Sequence, residues 1–346
     1  MWRVSDDSRA CLIYRSRADC KHFFVVLLHA CLGSYYLFVA QHDINWYVTL
    51  AYYTFSRVSV PVFVMISRVN TIWLKYEAKK TVSIHDALNR IKKIIIPIVL
   101  WSLFYLLLLN QFTADSALKI VWSPQGLVHL WFLYMLIGLY LLSPVVSLVF
   151  NTANKNLVRY LLVIWFIFSS VNFYFSPLYN GNLGDWFGLF TNYQSRFLGY
   201  YVLGAYMMLR PALSLRYSLL MILAGFAISY ILVVWDNYGS ASFNNRYLNF
   251  LSPNVAIMPY GFISLLRRMD FSKVVLSYIY YASPLVIGVY LTHEMILKFL
   301  REHFGLVGYG YDAIWFIPVL ATVTVLMSIL LSFILSKFQG RYKIFF

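Results

Sequence analysis

Acidic residues are scarce in this chain: 13 Asp and Glu against 28 Lys and Arg in 346 residues. Most of the 13 fall in loops, so no aspartate pair stands ready at a membrane face, as a metal-dependent glycosyltransferase would require. Cysteine is nearly absent. Cys11, Cys20 and Cys31 all lie in the first tenth of the chain, with neither zinc-ligand spacing nor a disulfide framework. No His/Cys/Asp/Glu spacing argues for a bound metal, and none is expected. There is no glycine-rich phosphate loop of the Walker or Rossmann type. No basic run is interleaved with stacking aromatics, which excludes a nucleic-acid partner. No repeat or low-complexity tract is present. No small-residue cleavage site follows the first apolar run, which is expected to remain as an uncleaved signal anchor.

What fills the chain instead is apolar: 61% of residues, with mean hydropathy +0.68. Soluble domains run near 45–50%. The expectation is an all-α, polytopic membrane helical bundle forming a single domain over 1–346, with the lipid bilayer as its first partner. Ten candidate spans follow from the length needed to cross, at about 22–40, 47–67, 94–110, 128–150, 157–175, 196–209, 218–235, 247–266, 283–300 and 314–336. Placing the N-terminus in the cytoplasm puts 22 of the 28 basic residues inside and five outside. The positive-inside rule therefore favours ten spans with both termini cytoplasmic.

Two formal charges interrupt long apolar runs: Arg57 in LAYYTFSRVSVPVFVMIS and Glu294 in SPLVIGVYLTHEMILKFL. A charge at the bilayer centre costs about 2.5–3.5 kcal/mol on insertion scales. It is kept where it pairs, lines a cavity or takes part in chemistry. At about 1.5 Å per residue, His29, Arg57, His293 and Glu294 fall in one layer on three helices, the pattern of a polar site between helices. The bland readings are a His making one interhelical contact and an Arg57–Glu294 pair that only fixes packing. His293 and Glu294, adjacent and about 100° apart on a helix, are expected to face different partners. His129 opens the fourth span and reads as an interfacial residue at the outer face.

Several strings then resemble one family in order along the chain. They are SRVSVPVFVMIS at 56–67, RIKKIIIP at 90–97, HLWFLYMLIGLYLLSPV at 129–145, RFLGYYVLG at 196–204 and GVYLTHEMILK at 288–298. Together they resemble the acyltransferase-3 family of integral membrane acyltransferases, most nearly the enzymes that O-acetylate bacterial surface polysaccharides. The resemblance implies transfer of an acyl group, most simply acetyl, from cytosolic acetyl-CoA to a sugar hydroxyl of a surface polysaccharide such as lipopolysaccharide O-antigen, or of a lipid-linked glycan. No cofactor stays bound, and the location is the bacterial inner membrane. His29, in FFVVLLH, takes the position of the family's catalytic histidine. Arg57 would stabilise the oxyanion, and Glu294 would orient His29 or neutralise Arg57. His129, Trp131, Arg196 and His293 would meet the acceptor, and Lys21, Arg90, Lys92 and Lys93 the CoA phosphates. Two positions depart from the family pattern. Ala18 stands eleven residues before His29, where a basic residue is usual, and Arg68 follows Ser67 where the family has Gly. The alternatives are a transporter of a lipid-linked sugar and a non-catalytic family member that partners a glycan synthase.

Overall fold

The computed structural model describes residues 20–38, 42–68, 80–120, 128–152, 155–171, 195–240, 242–269 and 285–338. Every regular element among them is helical. In chain order the helices are α1 (Cys20–Leu32), the short α2 (Tyr35–Phe38), α3 (Ile44–Ser56), α4 (Ser59–Arg68), α5 (Ile84–Leu108), α6 (Ala114–Lys119) and α7 (Trp131–Thr152). Then come α8 (Lys155–Trp165), α9 (Leu198–Met208), α10 (Leu215–Asn237), α11 (Pro253–Leu266), α12 (Val286–Phe304) and α13 (Ala313–Phe338).

The described residues of each of the ten expected spans lie mostly on helix. Among the described residues, five helical segments are long and apolar enough to cross a membrane: 44–67, 84–108, 131–150, 215–237 and 313–338. The others are shorter or more polar: α1 has 13 residues, α9 has 11 and α11 has 14. At about 1.5 Å per residue, α1 covers about 20 Å of a hydrocarbon core about 30 Å thick. Its expected span is thus made of pieces, with a turn at Gly33 and Ser34 before α2.

Burial separates centre from rim. The α3–α4 span is 72% buried, whereas α10 and α13 are 28% buried. Outward-facing residues such as Leu219, Leu223 and Ile231 on α10, or Val319, Leu326 and Leu330 on α13, are exposed and apolar. Such faces suit lipid, where close helix packing depends on small residues and on shape rather than on hydrophobicity. Gly225 and Gly261 let α10 and α11 approach at backbone distance: a Cβ at Gly261 would stand 2.6 Å from the Ser218 carbonyl oxygen. Gly204 does the same for α9 against α4, where a Cβ would lie 2.4 Å from the Met65 carbonyl oxygen. At the centre, α1 packs against α3, α4, α12 and α13.

The central span is broken. Residues 57 and 58 form a turn between α3 and α4, and the cause is Pro61. Proline has no N–H to donate four residues back, so the carbonyl of Arg57 loses its helical partner where the charge sits.

Gly204→Val is expected to lower the unfolding midpoint of the detergent-solubilised protein, since overpacking against backbone costs about 1–3 kcal/mol. Gly138→Ala, on a helix with nothing within 4 Å of the added carbon, is expected to be neutral or stabilising by up to about 1 kcal/mol. Scanning fluorimetry of the two variants checks both.

Candidate active site

The expected polar layer exists, but its members combine differently from the sequence reading. His29 lies in the last turn of α1. Its Nδ1 is 3.3 Å from the Glu294 carboxylate of α12, and its ring is 5.0 Å from that of His293. His293 and Glu294 therefore both face His29, against the expectation that neighbours on a helix must diverge. The imidazole of α1 stands over the seam between the two residues, so 100° of separation leaves both within reach.

The carbonyls of Tyr290 and Val289 lie 2.6 and 3.2 Å from His293 Nδ1. Only an N–H can pair with a carbonyl, so the neutral ring carries its proton on Nδ1 and presents the Nε2 lone pair. That Nε2 is buried and has no hydrogen-bond partner among the described residues.

His129 also corrects the sequence reading. It is 4% exposed, not interfacial. A 3₁₀ turn at Val128–Leu130 precedes α7 and carries the ring inward. There it lies 5.2 Å from His293, 6.1 Å from His29 and 5.6 Å from Tyr105. Its carbonyl accepts the Tyr290 hydroxyl, while neither ring nitrogen has a hydrogen-bond partner.

Arg301, one of the five basic residues that the expected topology puts in the outside loops or at their edges, ties His29 to Glu294. Arg301 Nη2 donates to the His29 carbonyl at 2.7 Å, and Nη1 is 3.9 Å from Glu294 Oε1. The His29 carbonyl already accepts the Gly33 N–H at 3.2 Å, and the guanidinium adds a second, charged donor to it, which suits the negative end of the helix dipole. The approach requires Gly33, since a Cβ there would stand 1.9 Å from Arg301 Cζ. The signal was available: Arg301 follows Glu294 by seven residues, two helical turns, and so shares its face.

Arg57 is buried in the break between α3 and α4. Its guanidinium donates to the Tyr53 hydroxyl and lies over the rings of Tyr53 and Phe250 at 4.2 and 4.8 Å. No carboxylate among the described residues pairs with it, so the expected Arg57–Glu294 pair does not form. Glu294 is engaged by His29 and Arg301 instead. Cys31, two residues after His29, is within electrostatic reach of both Arg57 and Arg301. The hydroxyls of Thr54 and Ser59, flanking the break, are buried without partners.

Trp131 meets the Phe250 ring, over which Arg57 lies, at 6.4 Å and the Phe197 ring at 5.6 Å. Arg196, next to Phe197, is buried, and its carbonyl accepts from Trp165 Nε1 at 2.6 Å. Arg90 stands against the Tyr140 ring at 6.0 Å, while Lys92 and Lys93 are exposed. The three do not converge on the histidines. Ala18 and the side chains of Lys21 and Arg68 lie outside the described residues.

A cavity of about 270 Å³ adjoins the cluster, lined by Tyr105, Leu108, Leu109, Glu294, Lys298 and Arg301 among others. His29 is 18% and Glu294 23% exposed at the side chain, so the pair is half sheltered rather than sealed.

The arrangement is a histidine whose ring nitrogen faces a carboxylate, the carboxylate in turn held by an arginine, beside a cavity. That is an oriented proton acceptor. The sequence model of the acyltransferase-3 family, described as an acyltransferase domain, matches residues 23–336. The chain belongs to the acyltransferase-3 family. It is a membrane acyltransferase, and the match spans nearly the whole chain, the histidine cluster included. Comparison with curated proteins and with solved structures gives no match.

Gly33→Ala and Arg301→Gln are each expected to destabilise the protein, and together to cost less than their sum, because both break the same contact. A double-mutant cycle on chemical unfolding should give a coupling of about 0.5–3 kcal/mol. Additive effects would show that the guanidinium does not depend on Gly33.

Proposed function

We propose that this acyltransferase moves an acetyl group from cytosolic acetyl-CoA to a sugar hydroxyl of a bacterial surface polysaccharide or its lipid-linked precursor, across the inner membrane. The observation that carries the reading is the His29–Glu294 contact in a chain of this family. All ten helical segments cross the bilayer in this proposal, with both termini in the cytoplasm. The C-terminal ends of α5 and α12 then lie outside, and the cavity between them is the acceptor's approach.

The chemistry follows from the positions. Glu294 holds a proton on His29 Nδ1, leaving the Nε2 lone pair to take the acceptor's hydroxyl proton. The hydroxyl oxygen attacks the thioester carbonyl. The C–O bond forms, the C–S bond breaks, and the proton passes from His29 to the departing CoA sulfur. Charge developing on the carbonyl oxygen calls for a fixed cation. Arg57 is the assigned group: it is buried, has no carboxylate partner among the described residues, and its Nε has no hydrogen-bond partner. His293 and His129 then border the acceptor, with Trp131 and Arg196 behind Phe250 and Phe197. Lys21, Arg90, Lys92 and Lys93 receive the CoA phosphates at the cytoplasmic mouth.

Family membership favours acyl transfer over the transport of a lipid-linked sugar. Ala18 is the one observation favouring a non-catalytic member, because a basic residue is usual there.

His29→Ala is expected to abolish acetylation when the protein is expressed in a glycan-producing host lacking its own O-acetylase, read as glycan acetyl content by mass spectrometry. Glu294→Gln is expected to reduce the rate within the roughly 10²–10⁴-fold range of general-base catalysis. A His29→Ala variant as active as the parent would remove His29 from the mechanism.

A further inference from the structure

The fold brings three imidazoles and one carboxylate together from three separate stretches of chain. One ligand atom from each of His29, His293 and Glu294 lies within 4.8 Å of the others. The His129 ring, its nitrogens unpartnered, stands 5.2 Å from that of His293. We propose that this cluster is a binding site for a transition-metal cation of the zinc class, and that the ion silences the site by occupying His29.

The donor set selects the ion. Imidazole nitrogens with one carboxylate suit Zn²⁺ and its neighbours, not the all-oxygen shells of Mg²⁺ or Ca²⁺. The second shell is already built. A metal-bound histidine commonly donates its other N–H to a backbone carbonyl, as His293 Nδ1 does to Tyr290 at 2.6 Å. This leaves Nε2 as a fixed, buried lone pair. Glu294 is steadied from the far side by Arg301. Ligands at about 2.0–2.1 Å from one ion stand about 3.4 Å apart in a tetrahedron. Among these three the widest pair must therefore close by about 1.4 Å, which the half-sheltered His29 and Glu294 can do. His129 lies outside that group of three, its ring 6.1 Å from that of His29, and takes the fourth position by swinging inward. The positive charge left after Glu294 is offset by an anion or hydroxide entering through the adjoining cavity.

The inhibitory consequence rests on the reading of His29 as the base. In the metal-bound state His29 offers Nδ1 to the ion and carries its proton on Nε2. The proton changes nitrogen and none is released. No lone pair remains to accept the proton of an incoming hydroxyl.

The test uses the full-length protein in detergent, stripped with a chelator and titrated with Co²⁺, whose visible d–d bands report tetrahedral nitrogen and oxygen ligands. One Co²⁺ per chain is expected, displaced by Zn²⁺. His293→Gln and Glu294→Gln should each weaken binding at least tenfold, and two variants guard against one of them failing to fold. His85→Gln, an exposed histidine at the start of α5, should change nothing. Tetrahedral bands that survive both site substitutions, or no binding by the parent, overturn the proposal. If the ion binds as described while acetyl transfer continues undiminished at saturating Zn²⁺, the metal site stands and the assignment of His29 as base fails. If transfer depends on His29 but Co²⁺ does not bind, the metal site alone fails.

Discussion

Inside a membrane, every backbone polar group must find a partner within the protein, and at the end of α1 a side chain joins the backbone in supplying one. Helix α1 ends at Leu32, and the guanidinium of Arg301 takes up the His29 carbonyl in its last turn. The same guanidinium reaches Glu294, whose other oxygen faces the His29 ring. One cation thereby closes the end of a helix and orients a carboxylate. A second break, at Arg57 and Val58, has a different cause, the missing N–H of Pro61. Irregular backbone at depth is tolerated only where protein or a cavity surrounds it, and these breaks account for the placement of the polar layer.

Much of this was legible beforehand. A carboxylate and an arginine in apolar runs cost too much to be incidental, so Arg57 and Glu294 were visible from hydropathy alone. His29 was visible from its depth in the first run, and the family resemblance marked it as the catalytic candidate. The errors came where angle was inferred from spacing. His293 and Glu294 were separated because they are adjacent on one helix, but a ring lying over the seam meets both. His129 was placed at the surface because it opens a span, although a single 3₁₀ turn carries it inward. Arg301 counts among the outside loops and their edges in the expected topology, while α12 continues to Phe304.

Pairing by charge alone also misled. Arg57 and Glu294 have opposite signs and equal depth, yet each is satisfied differently. Arg57 rests on aromatic faces, which give a buried guanidinium cation–π contact without neutralising it. Glu294 sits between an imidazole and a second arginine. The two charges therefore remain independent chemical resources, one positive and one negative, near the same helix end.

Gly33 has a consequence of a different kind. The residue has no side chain to contribute, but any larger one would occupy the space of the Arg301 guanidinium. Positions 29 and 33 lie far from 294 and 301 in the chain, yet the four are bound by one steric and electrostatic condition. A change at one of them releases the constraint on the other three, so relatives are expected to vary them together rather than one at a time.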